Sequence, residues 1–437
     1  MQRGRRFAAL LATSALVAAG CTTANDRPPG VLVGPDLTGQ TVEVAATWSG
    51  TEQENFQAVL AAFHDRTGAT VRYTSGGNDL AVLLNSRLAG GSPPDVALIP
   101  QPGVVAELAH RRALYPLTGA ALEAVRQHYS EAWQDLGRFN GSQYGFYFKV
   151  ANKSVIWYRT EDFADAGVQP PTTWGELVAV SQTLADAGHT PMVAAGGDGW
   201  VLTDWFENAY LRIAGPERYD QLAKHEIPWT DPTVIRTLRL LHEYWNTPKF
   251  IEGGPAGAAQ ISYTQSIADV FGSAPTASMV FEGDFVAAEI TKLNRVDVGR
   301  GAQVFDWPSI DGSASAVVTA GDQAVAMRDT PGATALMAFL ASPEAARIAT
   351  SRGGFISASR ALGGNDYPDP TIRRLAQSVA NAPVLRFDLS DLTPQSFGGG
   401  SNAHMWVLLQ EFLRSSVDPV TLATELEAAA TTDFGSR

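Results

Sequence analysis

The sequence predicts an α/β protein folded as two lobes, with the chain crossing between them on extended segments. Three observations lead there. Strand-like and helix-like stretches alternate through residues 41–114, and a β-α-β-α-β order implies a parallel sheet with right-handed crossovers. The run YGFYFKVANKSVIWY, residues 144–158, is two extended segments back to back, too long for one ordinary strand. It reads as a hairpin or as a chain leaving one domain for another, and the helix-rich sequence that follows favours the second. Roughly 400 residues remain once a leader is set aside, which suits about two domains.

The elements follow in order. TVEVAATW (41–48) alternates and is rich in β-formers, so it reads as a strand. In the next segment Phe56, Val59, Leu60 and Phe63 share a helical face, and Gly68 supplies the stop. ATVRYTS is a second strand, DLAVLLNSRLAGG a second helix, and DVALIP (95–100) a third strand, before a helix opened by Pro102. Beyond the crossing, TTWGELVAVSQTLADAG is a Thr-capped helix, PMVAAGG a short strand and WVLTDWFENAYLRIAG an amphipathic helix. DPTVIRTLRLLHEYWN is a helix capped by Asp231, with Pro232 in its first turn. SMVFEGDF (278–285) is a buried strand running into a turn, SAVVTAGDQAVAMR (315–328) is the return crossing, and helices complete the chain. Residues 40–148 with part of 315–375 form the first lobe. Residues 149–314 with the C-terminal helices to 437 form the second, more helical lobe.

The front of the chain is set apart by composition. MQRGRR is basic and FAALLATSALVAAG is apolar, but shorter than the roughly 20 residues of a membrane span. Residues 1–20 read as an export signal. Cys21, the single cysteine, follows Ala18, Ala19 and Gly20. This resembles a bacterial lipobox, with Ala18 standing where such motifs usually carry Leu. The resemblance implies a lipid on Cys21 and cleavage before it. Residues 21–39, with their Pro-Pro-Gly, suit a flexible tether to the membrane. A lone thiol makes no intrachain disulfide, no histidine lies near it in sequence, and no metal or cofactor is expected.

Without the signal, 29 Lys and Arg face 45 Asp and Glu, a charge of −16. An acidic surface argues against nucleic acid, which needs clustered Lys and Arg. No G-x-S-x-G, HExxH or P-loop occurs, so serine-hydrolase, zincin and nucleotide chemistries lack support.

Six segments carry a resemblance by their order and spacing: TWSGTEQENFQAVLAAFHDRTG, RLAGGSPPDVALIPQPG, GFYFKVANKSVIWYR, PPTTWGELV, MVFEGDF and GGFISASR. Together with the lipobox they resemble the family 1 extracellular solute-binding proteins of ABC importers, nearest the alpha-glucoside and oligosaccharide branch. The resemblance implies a periplasmic-binding-protein-like fold with hinge crossings and a ligand cleft between the lobes. It also implies a monomeric, non-enzymatic receptor on the outer face of the cell membrane. Its partners would be a membrane permease and a cytoplasmic ATPase.

Sugars offer apolar C–H faces and hydroxyl edges, so a site for them needs aromatic rings to stack and carboxylates or amides to hydrogen-bond. In open parallel sheets ligands sit outside the carboxyl ends of the strands. There stand Trp48, Ser49 and Glu52 after strand one, Asn78 after strand two, and Gln101 after strand three. Asp79 suits a helix cap. Tyr147 and Lys149 lie on the crossing strand, where alternate residues point to one side. Asp204 and Trp205 occupy a helix N-terminal region, and Glu282 and Asp284 flank Gly283 in an apolar context. Phe355 follows two glycines and could stack on a sugar, whereas Trp406 reads as core. Glu282 and Asp284 would also suit a secreted glycosidase. A cation, polyamine or glycerol-phosphate ligand, or delivery to a sensor, are further alternatives.

Overall fold

A computed structural model describes residues 34–415 and 417–435. The export signal, Cys21 and the first part of the tether lie outside them. Strand β1 (Thr41–Ala46) pairs in parallel with β2 (Thr70–Ser75) on one edge and with β3 (Val96–Ile99) on the other. Helices α1 (Gly50–Thr67), α2 (Leu80–Ala89) and α3 (Pro102–His110) follow these strands in turn. Helix α1 buries Phe56, Val59, Leu60 and Phe63. It stops where Gly68 turns left-handed at φ 73° and gives its N–H to the His64 carbonyl. Among the predicted caps, Thr173 forms a capping box with Glu176, and Asp231 accepts from the Thr233 N–H.

After a small hairpin of β4 (Arg138–Phe139) and β5 (Ser142–Gln143) comes the long extended run. It divides into β6 (Gly145–Asn152) and β7 (Val155–Arg159), which belong to two different sheets. The second sheet adds β8 (Met192–Val193), β9 (Met279–Phe281) and β10 (Ala302–Asp306), in the order β10-β7-β9-β8. The chain then returns on β11 (Val317–Ala326). This strand pairs antiparallel with β6 along one edge, and with β3 and then the parallel β12 (Leu385–Phe387) along the other.

The chain therefore crosses between lobes three times: at Lys153–Ser154, ahead of β11, and after β12. The expected boundary at 148/149 moves to Asn152, because β6 stays hydrogen-bonded to β11 through that residue. The first lobe's return segment likewise runs to Phe387 rather than 375. The C-terminal helices go back to the second lobe. Met405, Leu409, Phe412 and Leu413 share a core with Trp205 and Tyr210 of the helix Gly199–Ala223. That helix is kinked at Gly215, whose φ of 79° precedes Pro216.

One irregularity sets the cleft. Lys149 pairs with Asp322 and Tyr147 with Gln323, so Phe148 is an extra residue on β6. Such a bulge resets which way the side chains point.

Candidate functional site

A cleft of about 390 Å³ lies between the lobes. The first lobe lines it with Trp48, Ser49 and Glu52 after β1, Asn78 after β2 and Gln101 after β3. The floor is Lys149 and Ala151 of β6 with Gly321 and Asp322 of β11. The second lobe presents Asp198, Trp200, Tyr263, Phe285 and Trp406, and the crossings add Lys153, Asp388 and Asp391. The lobes touch at the rim. Asn78 Nδ2 donates to Asp198 Oδ1 at 3.0 Å, and Ser401 Oγ donates to Asp79. Outside this contact a wider groove of about 690 Å³ separates α2 and α3 from residues 394–403, with no Trp, Tyr or Phe in its lining. Of these two openings, only the cleft offers stacking surfaces.

Three rings form the second lobe's surface. Trp200 and Tyr263 have centroids 5.3 Å apart, Tyr263 and Phe285 5.7 Å, and Trp200 and Phe285 6.1 Å. Opposite them Trp48 meets Phe56 and Phe355 edge-on at 4.9 and 5.2 Å. Lys149 stands between the lobes, ion-paired to Glu52, with its ammonium 5.2 Å from the Phe285 centroid and 5.7 Å from that of Trp48. Burial opposes its charge, but Glu52 and Asp322 outweigh that and hold its pKa above the usual value. Burial pushes Asp322 up to about 6, against the pull of Lys149 and a hydrogen bond with the Trp48 side chain. Asp391 is pushed well up by burial and by the neighbouring Asp388. Burial would raise Asp388 too, yet Lys153, 2.7 Å away, brings it down to about 2. The indole N–H of Trp406 is buried without a protein partner.

Six expected site residues are not in the cleft lining. Tyr147 faces away because the Phe148 bulge breaks the alternation, and its ring packs on Trp133 and Phe387 at 5.2 and 5.3 Å. Asp204 is fully buried against Lys153 at 3.0 Å. Trp205 is core, with Phe281 and Trp307 at 5.0 and 5.1 Å. Glu282 and Asp284 are both fully buried. Glu282 accepts from the Gly283 N–H, and burial lifts it to about 8. Asp284 accepts from the Asn152 N–H at 2.6 Å, and burial lifts it to about 7. Phe355 forms a second layer behind Trp48 and Phe148.

Sequence reasoning missed Lys153, Asp198, Trp200, Tyr263, Phe285, Asp322, Asp388 and Asp391; Trp406 is buried as expected and also borders the cleft. Some signals were there. Asp322 is the one charge in the strand VVTAGDQAVA, and Asp198–Gly199–Trp200 opens a helix after a glycine pair.

Oxygens of Asp204, Glu207 and Asp388 lie within 4.8 Å of one another, a spacing that would suit a metal ion. They are already engaged. Lys153 bonds Asp204 and Asp388, while Glu207 accepts from the Leu389 and Ser390 N–H groups and from Tyr219. The chain's own ammonium supplies the cation.

Two sheets, three crossings and a ring-lined cleft between the lobes define the architecture of a two-lobed binding protein. Residues 47–347 match the bacterial extracellular solute-binding proteins, and the chain belongs to that family. It is 35% identical over 379 residues to the osmoprotective compounds-binding protein GgtB of Synechocystis sp., covering 84% of this chain and 89% of that one. It is 32% identical over 402 residues to the alpha-glucosides-binding periplasmic protein AglE of Rhizobium meliloti, covering 88% and 86%. Among solved structures, a chitin oligosaccharide binding protein superposes with a TM-score of 0.78 at 19% identity, over 90% of this chain and 99% of the other. The solute receptor AcbH, described as exclusively preferring β-D-galactopyranose, gives 0.77 at 18% over 90% and 99%. At these identities the two structures speak for the fold alone.

Proposed function

We propose that the protein captures a carbohydrate, an alpha-glucoside or short oligosaccharide, and delivers it to an ABC permease powered by a cytoplasmic ATPase. A lipid on Cys21 would hold it at the outer face of the membrane. The observation that carries this reading is the pairing, in one cleft, of the Trp200–Tyr263–Phe285 surface with the hydrogen-bonding groups of Asp322, Asp391 and Gln101. Rings suit the C–H faces of a sugar, and the polar groups suit its hydroxyls. AglE, similar over most of the chain, is named for alpha-glucosides. A cleft near 390 Å³ sits at the small end of ligand sites, which favours a short ligand. Ligand contacting both lobes favours their closed arrangement by differential affinity.

Other chemistries fit less well. A phosphate ester wants convergent free cations, but Lys149 and Lys153 are both paired to carboxylates. The carboxyl pair that the sequence offered to a glycosidase, Glu282 and Asp284, is buried away from the cleft lining. A thermal-shift screen tests the reading, with maltose, trehalose, sucrose, longer α-glucans, β-linked disaccharides, glycerol phosphates and polyamines. A ligand at 100 times its Kd stabilises the native state by about 2.7 kcal/mol. A shift with an alpha-glucoside, recovered unchanged, supports the proposal. A response to glycerol phosphate or polyamine alone overturns the substrate, and product formation overturns the receptor.

A further inference from the structure

The three crossings converge on one buried face of the helix Gly199–Ala223. Asp204, Glu207, Asn208 and Arg212 recur at intervals of three and four residues, as one helical face requires, and none is more than 6% exposed. Each holds the chain where it passes between lobes. Asn208 Nδ2 donates to the Lys153 carbonyl at 2.8 Å, and Ser154 Oγ donates to Asn208 Oδ1. The same Ser154 oxygen accepts the Val318 N–H at 2.8 Å, joining the first crossing to the second. Arg212 donates to the Ala316 carbonyl on the second crossing. Glu207 accepts the Leu389 and Ser390 N–H groups of the third at 2.7 and 2.9 Å. Lys153, on the first, reaches Asp204 on the helix and Asp388 on the third.

Of these groups, Lys153, Asp388 and Ser390 line the cleft, and the four helix residues do not. The Lys153 ammonium also lies 5.2 Å from the Trp200 ring centroid, so one side chain touches both the binding surface and the hinge. We propose that this helix face is the pivot of lobe closure and that Lys153 is the positioning residue through which cleft occupancy reaches it. The reason is sharing. Ser154 Oγ joins the first crossing to the second and Lys153 joins the first to the third, so no crossing shifts without breaking a buried bond to another. Networks with shared partners move between discrete arrangements rather than by degrees. The inference rests on the cleft being the ligand site.

The test uses the full-length protein with Asn208→Ala and, in parallel, Ser154→Ala. Neither residue lines the cleft, and the serine change removes a single oxygen. Without ligand, hydrogen exchange is followed at residues 153–154, 316–318 and 388–390. The expected result is faster exchange at all three crossings together, by about tenfold, with β1 to β3 unchanged. Faster exchange only where a bond was removed overturns the pivot. With maltose, trehalose and sucrose as separate probes, compaction is read by small-angle scattering alongside affinity. Expected are smaller compaction and about tenfold weaker binding with every cleft contact intact. Lower melting temperature with unchanged affinity and compaction would reduce these residues to structural support and overturn the proposal. Silence of the wild type towards all three sugars tells against the carbohydrate reading, while exchange at the crossings still decides the pivot.

Discussion

At the residue scale, the buried carboxyls give the protein an uneven response to pH. Glu282 and Asp284 have folded pKa values of about 8 and 7, above the usual carboxyl range because they are buried. The folded state holds their protons more tightly than the unfolded chain, so their contribution to stability falls as pH rises from about 4 through 8. Asp388 works in the opposite sense. Held at about 2, it contributes above pH 4, and that contribution is lost as pH falls towards 2. Melting temperatures of wild type and Glu282→Gln between pH 5 and 9 check this: the decline towards alkaline pH should be shallower in the variant. Parallel curves would mean that Glu282 ionises freely in the fold. In the cleft, Trp200→Ala and Asp322→Asn should each weaken ligand binding by about tenfold to a hundredfold. Trp205→Ala should instead destabilise the fold by about 3–5 kcal/mol, since it empties a core site. Calorimetric titration and thermal unfolding separate the two outcomes.

At the scale of elements, the periodicity of the chain carried most of the first lobe. Strand ends deliver Trp48, Asn78 and Gln101 to the cleft as the β-α-β order requires, and Gly68, Thr173 and Asp231 end or begin their helices as expected. What could not be read was the bulge at Phe148. Alternation is a property of regular strands, and an extra residue is visible only when the partner strand is known. It separates Tyr147 from Lys149, which the sequence placed on one face. The hydroxyl of Tyr147 is buried without a partner, so Tyr147→Phe should leave stability equal or raised and ligand binding untouched. Lost binding in that variant, by titration, would return Tyr147 to the site. The helix Gly199–Ala223 shows a second limit. Its polar residues were legible as an interruption of an apolar pattern, but an interruption does not say whether it faces a ligand or a neighbouring strand. Here Asp204 faces Lys153 at the hinge.

At the scale of the whole molecule, the two-lobed plan followed from the β-α alternation, the chain length and one run of sequence too long to be a single strand. The third crossing was expected by residue 375 and lies after Phe387, because β12 is three residues long and carries no pattern of its own. With it were lost Asp388 and Asp391, which enter the cleft only because the chain passes between lobes there. The second lobe's rings were missed for a related reason. Trp200, Tyr263 and Phe285 come from separate segments, and their meeting is a product of tertiary packing. That meeting also makes the function directly observable, since three tryptophans line the cleft: Trp48, Trp200 and Trp406. Titrating maltose, trehalose and sucrose against intrinsic fluorescence should give a saturable change with at least one sugar, lost or shifted to much higher concentration in Asp322→Asn. A flat response to all three, or one that survives in both Asp322→Asn and Trp200→Ala, would contradict sugar capture in this cleft.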